Sequence, residues 1–172
     1  MPTRRIEHSI SCCGQYIRSS DNGDPNISEI HSHLVSSVVL TITSEYEELI
    51  EKIFTDRANR CGDTYVTNYV KRQLHDKFKS PDLGKIHNTL LYLSEDYRET
   101  FMSATNDNEF SAAWNNIMKA RHAVVHKQGT CNLTFDELKN SYQKTKKVLT
   151  ELVKVLGLAE TIEIYLDTVP PR

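Results

Sequence analysis

One apolar stripe does most to limit what this chain can fold into. Ile27, Ile30, Leu34, Val38, Ile42, Tyr46, Leu49, Ile53 and Phe54 recur mainly at steps of three or four, just after the turn-forming run "DNGDPN". A period near 3.6 held over that distance predicts a helix of about 30 residues, roughly 45 Å long. Asn26 and Glu29 have the spacing of a capping box at its start.

The same period returns further along. A second helical region follows "CGD", with Tyr65, Tyr69 and Leu74 as its inward positions. A third follows "SPDLG" and turns Ile86, Leu90, Leu93, Tyr97 and Phe101 inward as one helix. "ATNDNEF" breaks the chain, and Asn106 with Glu109 offers another capping box. The fourth helix then runs from about Glu109 to Lys127, where Gly129 can take a left-handed cap. Thr134 and Glu137 open the fifth, with Leu138, Val148, Leu152 and Leu156 inward and a stop near Gly157. The tail "TIEIYLDTVPPR" alternates like a short strand without an evident partner, so it is expected to dock on the surface. The strand period is otherwise almost missing. The expected fold class is therefore all-α, a bundle of about four to five helices with short connections. Residues 1–25 read as an N-terminal extension, 26–158 as the helical domain and 159–172 as a C-terminal tail.

The 172 residues suit one domain that buries a core without staples. Hydrophobic content of 38% and charged content of 26% fit a globular chain rather than a disordered one. With 21 basic and 23 acidic residues the net charge is -2, so any nucleic-acid contact must come from a local patch. Cys12, Cys13, Cys61 and Cys131 lack paired C-x-x-C spacing, and the opening "MPTRRIEHSISCCG" lacks the apolar segment of a secretion signal. "LVSSVVLTI", from Leu34 to Ile42, is too short and interrupted to span a bilayer. These features predict a reduced, cytoplasmic protein without membrane contact.

The stretch "KARHAVVHKQG", residues 119–129, departs from this ordinary pattern. At about 100° per residue, Phe110, Trp114, Ile117, Met118, Val124 and Val125 define the apolar arc of the fourth helix. Arg121 falls near the centre of that arc. His122 and His126 share a flank with Asn115 and Lys119. A buried guanidinium costs several kcal/mol (order of magnitude) unless paired, and it cannot escape by losing its proton. Three readings follow from the residues. Arg121 pairs with a carboxylate on another helix, or stacks on Trp114 and snorkels, while the histidines are solvated. Alternatively His122 and His126, at i and i+4, grip a metal ion, although no H-E-x-x-H pattern or third ligand accompanies them. In the third reading the three residues form a catalytic set.

That third reading draws on a resemblance. Arg121, a polar residue at 122, and His126 resemble the R-x4-H motif of HEPN-domain proteins, where it lies late in a helical bundle at a helix end, often just before a glycine. The helix order, the Gly129 stop and the closing helix "TFDELKNSYQKTKKVLTELVKVLGL" are most similar to the RiboL-PSP-HEPN branch, over roughly residues 26 to 158. The resemblance implies metal-independent cleavage of RNA by a homodimer, with no cofactor, in a toxin or antiphage-defence setting. Under it Arg121 stabilises the transition state, His126 is the acid/base and His122 assists. Lys119 and Lys127 contact the RNA, and an antitoxin or defence-system protein is a further partner. The residue types fit: an imidazole exchanges protons near neutrality, and guanidinium matches phosphate oxygens. Arg121 and His126 diverge by about 140° around an ideal helix and about 7.5 Å along it, which a second subunit would remedy.

Two departures qualify the resemblance. His122 stands where a small polar residue such as Asn or Asp is usual. Gln128 stands where one toxin branch has a tyrosine that a nucleotidyltransferase antitoxin modifies, so that partnership is not expected. A non-catalytic HEPN-type module that binds RNA, a nucleotide or a partner protein is the alternative from another class. The basic runs "KRQLHDKFK" (Lys71 to Lys79) and "KTKK" (Lys144 to Lys147) are candidates either for an RNA backbone or for solvated faces.

Overall fold

The long stripe forms the helix it predicts, and the rest of the bundle is laid around it. In the computed structural model, the described residues are 2–20, 25–74, 77–106, 108–126, 131–162 and 165. The helices are α1 (Pro2–Ser19), α2 (Ile27–Asn59), α3 (Thr64–Leu74), α4 (Leu83–Leu93), α5 (Glu95–Thr105), α6 (Asn108–His126) and α7 (Phe135–Val155), followed by a 3-10 turn at Ala159–Thr161. The described residues contain no strand. The class is all-α, but the described residues form seven helices in place of the expected four to five. None is long and apolar enough to cross a membrane.

Helix α2 is the spine, with α1, α3, α6 and α7 packed against it, while α4 and α5 pair and α5 leans on α7. Tyr46 of α2 and Trp114 of α6 stack at 5.3 Å in the middle, both fully buried. The Tyr46 hydroxyl meets Thr145 Oγ1 of α7 at 2.7 Å, and Trp114 Nε1 donates to the Pro81 carbonyl at 2.8 Å, so neither ring buries an orphaned polar atom. Ile42, Leu49, Ile53, Ile86, Phe101, Leu138, Val148, Leu152 and Leu156 are among the other core side chains, each worth about 1.5–3 kcal/mol when buried.

Two of the additional helices come from particular residues. Residues 2–19 form α1, whose Ile6, Ile10 and Cys13 enter the common core and whose Arg5 Nη1 donates to Glu45 Oε1 at 3.0 Å. Helix α1 is thus packed into the same bundle as the helices after it. The expected third helix is two: Ser94 is extended (φ -168, ψ 139), ending α4 and opening α5. Serine competes with the helical backbone, and Glu95 and Asp96 after it favour a new N-terminus. Leu93, expected inside, is consequently exposed.

Helix α3 is rotated from its expected setting. Leu74 is buried and Val70 packs against the core, whereas Tyr65 and Tyr69 point outward. The caps divide similarly. Thr134 and Glu137 form the full reciprocal box, with Thr134 N donating to Glu137 Oε2 at 2.8 Å; these bonds hold the Glu137 carboxyl below the usual carboxylate range. Gly157 (φ 70) ends α7, with Leu158 N donating to Val153 O and Gly157 N to Lys154 O, both at 2.9 Å. Asn26, in contrast, makes no side-chain cap bond, and Asn106 closes α5 rather than opening α6. Gly129 and most of the alternating tail lie outside the described residues, although Tyr165 is buried. All four cysteines are free thiols, and burial raises the pKa of Cys13.

Candidate active site

Arg121 projects from α6 toward α2 and the loop between α3 and α4. Its Nη2 lies 2.9 Å from Glu47 Oε1, and its Nη1 donates to Ser80 Oγ. The two charged side chains keep only 21% and 24% of their surface. Glu47 Oε1 also accepts from the Ser80 backbone N–H at 2.7 Å. Lys85 Nζ of α4 donates to the Lys79 and Ser80 carbonyls at 2.6 and 3.0 Å. Ser80 has φ 53, a left-handed conformation that costs an ordinary residue about 1–2 kcal/mol. Its N–H, hydroxyl and carbonyl are each engaged, which is how the surroundings hold it there. Together with Trp114 on Pro81, these bonds fasten residues 79–82 to α2, α4 and α6 at once.

The pairing with Glu47 is the one the structural reading of Arg121 foresaw, a carboxylate on another helix. Glu47 and Ser80 themselves were not singled out from sequence. Glu47 sits beside Tyr46 in an acidic stretch of α2, and nothing in the spacing marks it over Glu45 or Glu48.

His122 and His126 stand together on a different side of α6. Both are exposed, with ring centroids 4.6 Å apart and planes tilted by 44°. No hydrogen bond joins either ring to Arg121 among the described residues; the guanidinium is turned onto Glu47 and Ser80 instead. No group of three or more His, Cys, Asp or Glu that could hold a metal occurs among the described residues. Lys119 is exposed one turn before the imidazoles, and Lys127 and Gln128 lie outside the described residues.

The surroundings of the imidazoles are partly apolar. Cys131 N donates to Ser36 Oγ at 3.0 Å, so the chain leaving α6 reaches the first half of α2. Tyr46 of α2 and Arg60 at its end bond in the same order to Thr145 of α7 and Gly157 at its end. Helix α6 packs on α7 with only a short connection between them, so it runs antiparallel to both. Val125, expected in the apolar arc, is instead 49% exposed, and Leu40 on α2 is 38% exposed. Both lie from the Arg121–Glu47 pair toward the same end of the bundle. A cavity of about 510 Å³ lined by Gly14, Arg18, His31 and Phe135 shares no residue with this region.

The two basic runs behave differently. Lys144 pairs with Glu109 at 2.5 Å, Lys146 pairs with Glu7, and Lys147 Nζ lies 5.3 Å from the Phe110 ring centroid. The "KTKK" run is thus taken up by the bundle's own groups. Lys71 and Arg72, by contrast, are exposed on α3.

No curated protein and no solved structure matches the chain. The family model for RiboL-PSP-HEPN matches residues 6–157, from the first turns of α1 through the end of α7. With most of its 172 residues inside that match, the all-helical chain carrying Arg121, His122 and His126 on α6 belongs to the RiboL-PSP-HEPN family.

Proposed function

We propose that this chain is a metal-independent endoribonuclease that cleaves RNA at a site completed by a second copy of itself. The observation that carries the reading is the end of α6, where two accessible imidazoles 4.6 Å apart follow an arginine fixed by Glu47 and Ser80. In the reaction, the RNA 2'-hydroxyl gives its proton to one imidazole and its oxygen attacks the adjacent phosphorus. The P–O5' bond breaks, and the departing oxygen takes a proton from a second, protonated imidazole. A 2',3'-cyclic phosphate and a 5'-hydroxyl remain. His126 has the acid/base role, and His122 orients it or assists.

A guanidinium has five N–H donors. Glu47 and Ser80 engage two of its nitrogens, so further donors remain to stabilise the crowded phosphate. Lys119 and Lys127 hold the flanking backbone. A two-fold partner supplies the opposing imidazole that the divergence of Arg121 and His126 denies to one chain. Such an activity belongs in the cytoplasm as a toxin or antiphage-defence effector, restrained by an antitoxin or a defence-system partner.

A second reading has its own observation. The Arg121–Glu47 pair is also what a purely structural arginine makes, and it fits a non-catalytic HEPN module that binds RNA, a nucleotide or a protein. Incubating the purified chain with mixed RNA, with and without EDTA, separates the two. The expected result is cleavage that EDTA does not stop, ending in cyclic phosphate and 5'-hydroxyl, nearly abolished by His126→Ala and only reduced by His122→Ala. RNA methylated at the attacking 2'-oxygen should be inert. EDTA-sensitive cleavage or 5'-phosphate products would overturn the mechanism, and intact RNA throughout would leave the binding module.

A further inference from the structure

We propose that the outer face of α3 is a stacking platform for single-stranded RNA, built on Tyr65 and Tyr69 with Arg72 in line. The inference rests on the RNA reading above and adds to it the place where the strand is held.

Tyr65 and Tyr69 are 88% and 65% exposed, far more than side chains of that size need to be. At i and i+4 they lie on one side of α3, about 6 Å apart along its axis, and Arg72 continues the same line one turn on. The residues around them, Thr64, Asn68, Lys71 and Gln73, are exposed and either neutral or basic. The helix carries no carboxylate at all, in a chain whose net charge is -2. Asp63, just before it, is turned onto the helix's own N–H groups, accepting from Tyr65 N at 2.8 Å and Val66 N at 3.1 Å. Beyond the helix, Lys77 Nζ stands 4.5 Å from the ring centroid of exposed Tyr92, another cation beside an aromatic face.

Aromatic rings with adjacent cations are what an unpaired strand requires: a π-face for each base and positive charge along the backbone. A duplex hides its base faces, so the ligand is single-stranded. Tyrosine and arginine also serve contacts between proteins, but lysine is depleted there, and a contact between two copies would set one carboxylate-free basic face against another. Within α3, Val66 is the one exposed aliphatic side chain, and Lys71 and Arg72 flank the rings. The platform also leads to the motif. The chain from Leu74 to Ser80 spans at most about 20 Å, and Ser80 touches Arg121. A strand stacked on α3 therefore has a phosphodiester within reach of α6 a few nucleotides away.

The test uses the full chain carrying His126→Ala, so that RNA survives, and fluorescein-labelled oligouridylate and oligoadenylate read by anisotropy at low salt. Tyr65→Ala with Tyr69→Ala should weaken binding by about tenfold per ring, with circular dichroism unchanged. Tyr65→Phe with Tyr69→Phe should stay within about threefold, because the ring face and not the hydroxyl does the stacking. In the His126-containing chain the alanine pair should raise KM for single-stranded RNA and leave kcat largely intact. Unchanged affinity and KM in the alanine pair would overturn the platform while leaving cleavage standing. A change of oligomeric state in that variant would overturn it in favour of a contact between copies. Failure of the nuclease reading looks different: binding that responds to the tyrosines, with no cleavage by any form.

Discussion

At the scale of the residue, Arg121 decides most. A guanidinium paired with Glu47 and Ser80 is fastened, and fastening serves either stability alone or stability and chemistry together. An exposed pair contributes about 0–1 kcal/mol, and breaking a fully buried one costs about 3–5 kcal/mol. At about a fifth exposed, this pair lies between, and its loss also frees one anchor of the 79–82 loop. Arg121→Ala is therefore expected to lower unfolding stability by about 1–3 kcal/mol and to abolish RNA cleavage. Glu47→Gln is the sharper variant, since it keeps an oxygen for Ser80 N–H but removes the charge that orients the guanidinium. If Glu47 positions a catalytic arginine, the glutamine variant should lose at least about tenfold in kcat, an effect of about 1.4 kcal/mol, with little change in KM. A purely structural arginine would show a lower melting temperature in both variants and an unchanged rate per folded molecule.

At the scale of the element, the pairing of α4 with α5 makes stability pH-dependent in a predictable direction. His87 of α4 lies edge-on to Phe101 of α5, with ring centroids 5.6 Å apart, and its Nε2 is buried without a hydrogen-bond partner among the described residues. Burial first, then the nearby Arg98 charge, lowers its pKa, and Asp82 opposes them. The unfolded chain therefore binds a proton at His87 more readily than the folded one. Stability is full above the unfolded value of about 6.5 and is lost as pH falls through the lower folded value. The melting temperature should drop between pH 7 and pH 5.5, and His87→Leu should flatten that drop; equal drops in both proteins would rule the histidine out. The same pair of helices marks where periodicity stopped being readable. Ile86, Leu90, Tyr97 and Phe101 keep one helical phase across Ser94, so nothing in the spacing announces the break. Helix α3 offered two stripes, Tyr65–Tyr69 and Val70–Leu74, and only contact with α2 selects between them. Helix α7 was legible because a reciprocal cap, a long stripe and a left-handed glycine agree. At the motif, the chain position and grouping of His122 with His126 could be read from the wheel. Glu47 and Ser80 could not, since α2 and a loop reach Arg121 only in the folded bundle.

At the scale of the whole molecule, the question is how two copies would meet. Exposed Ser37, Leu40 and Ser44, with half-buried Thr41, lead in helical steps along α2 to Glu47, and α6 runs antiparallel beside it, bringing Val125 and the imidazoles to the same end. An isologous contact there would place each protomer's His126 near the other's, with Leu40 and Val125 as apolar anchors amid small polar side chains. Stable interfaces bury at least about 1,200 Å² in total, so these two anchors are the centre of such a seam rather than all of it. Two-fold symmetry makes any substitution at the centre count twice, and a charge placed near its own copy repels it. Leu40→Arg or Val125→Arg is accordingly expected to shift light scattering at micromolar protein from dimer to monomer. Cleavage should fall by at least about 100-fold, about 2.7 kcal/mol in rate terms, with circular dichroism unchanged because both side chains are already exposed. A wild-type monomer that cleaves RNA at nanomolar concentration, or a Leu40→Arg dimer as active as the original, would remove this seam and return the whole reaction to one chain.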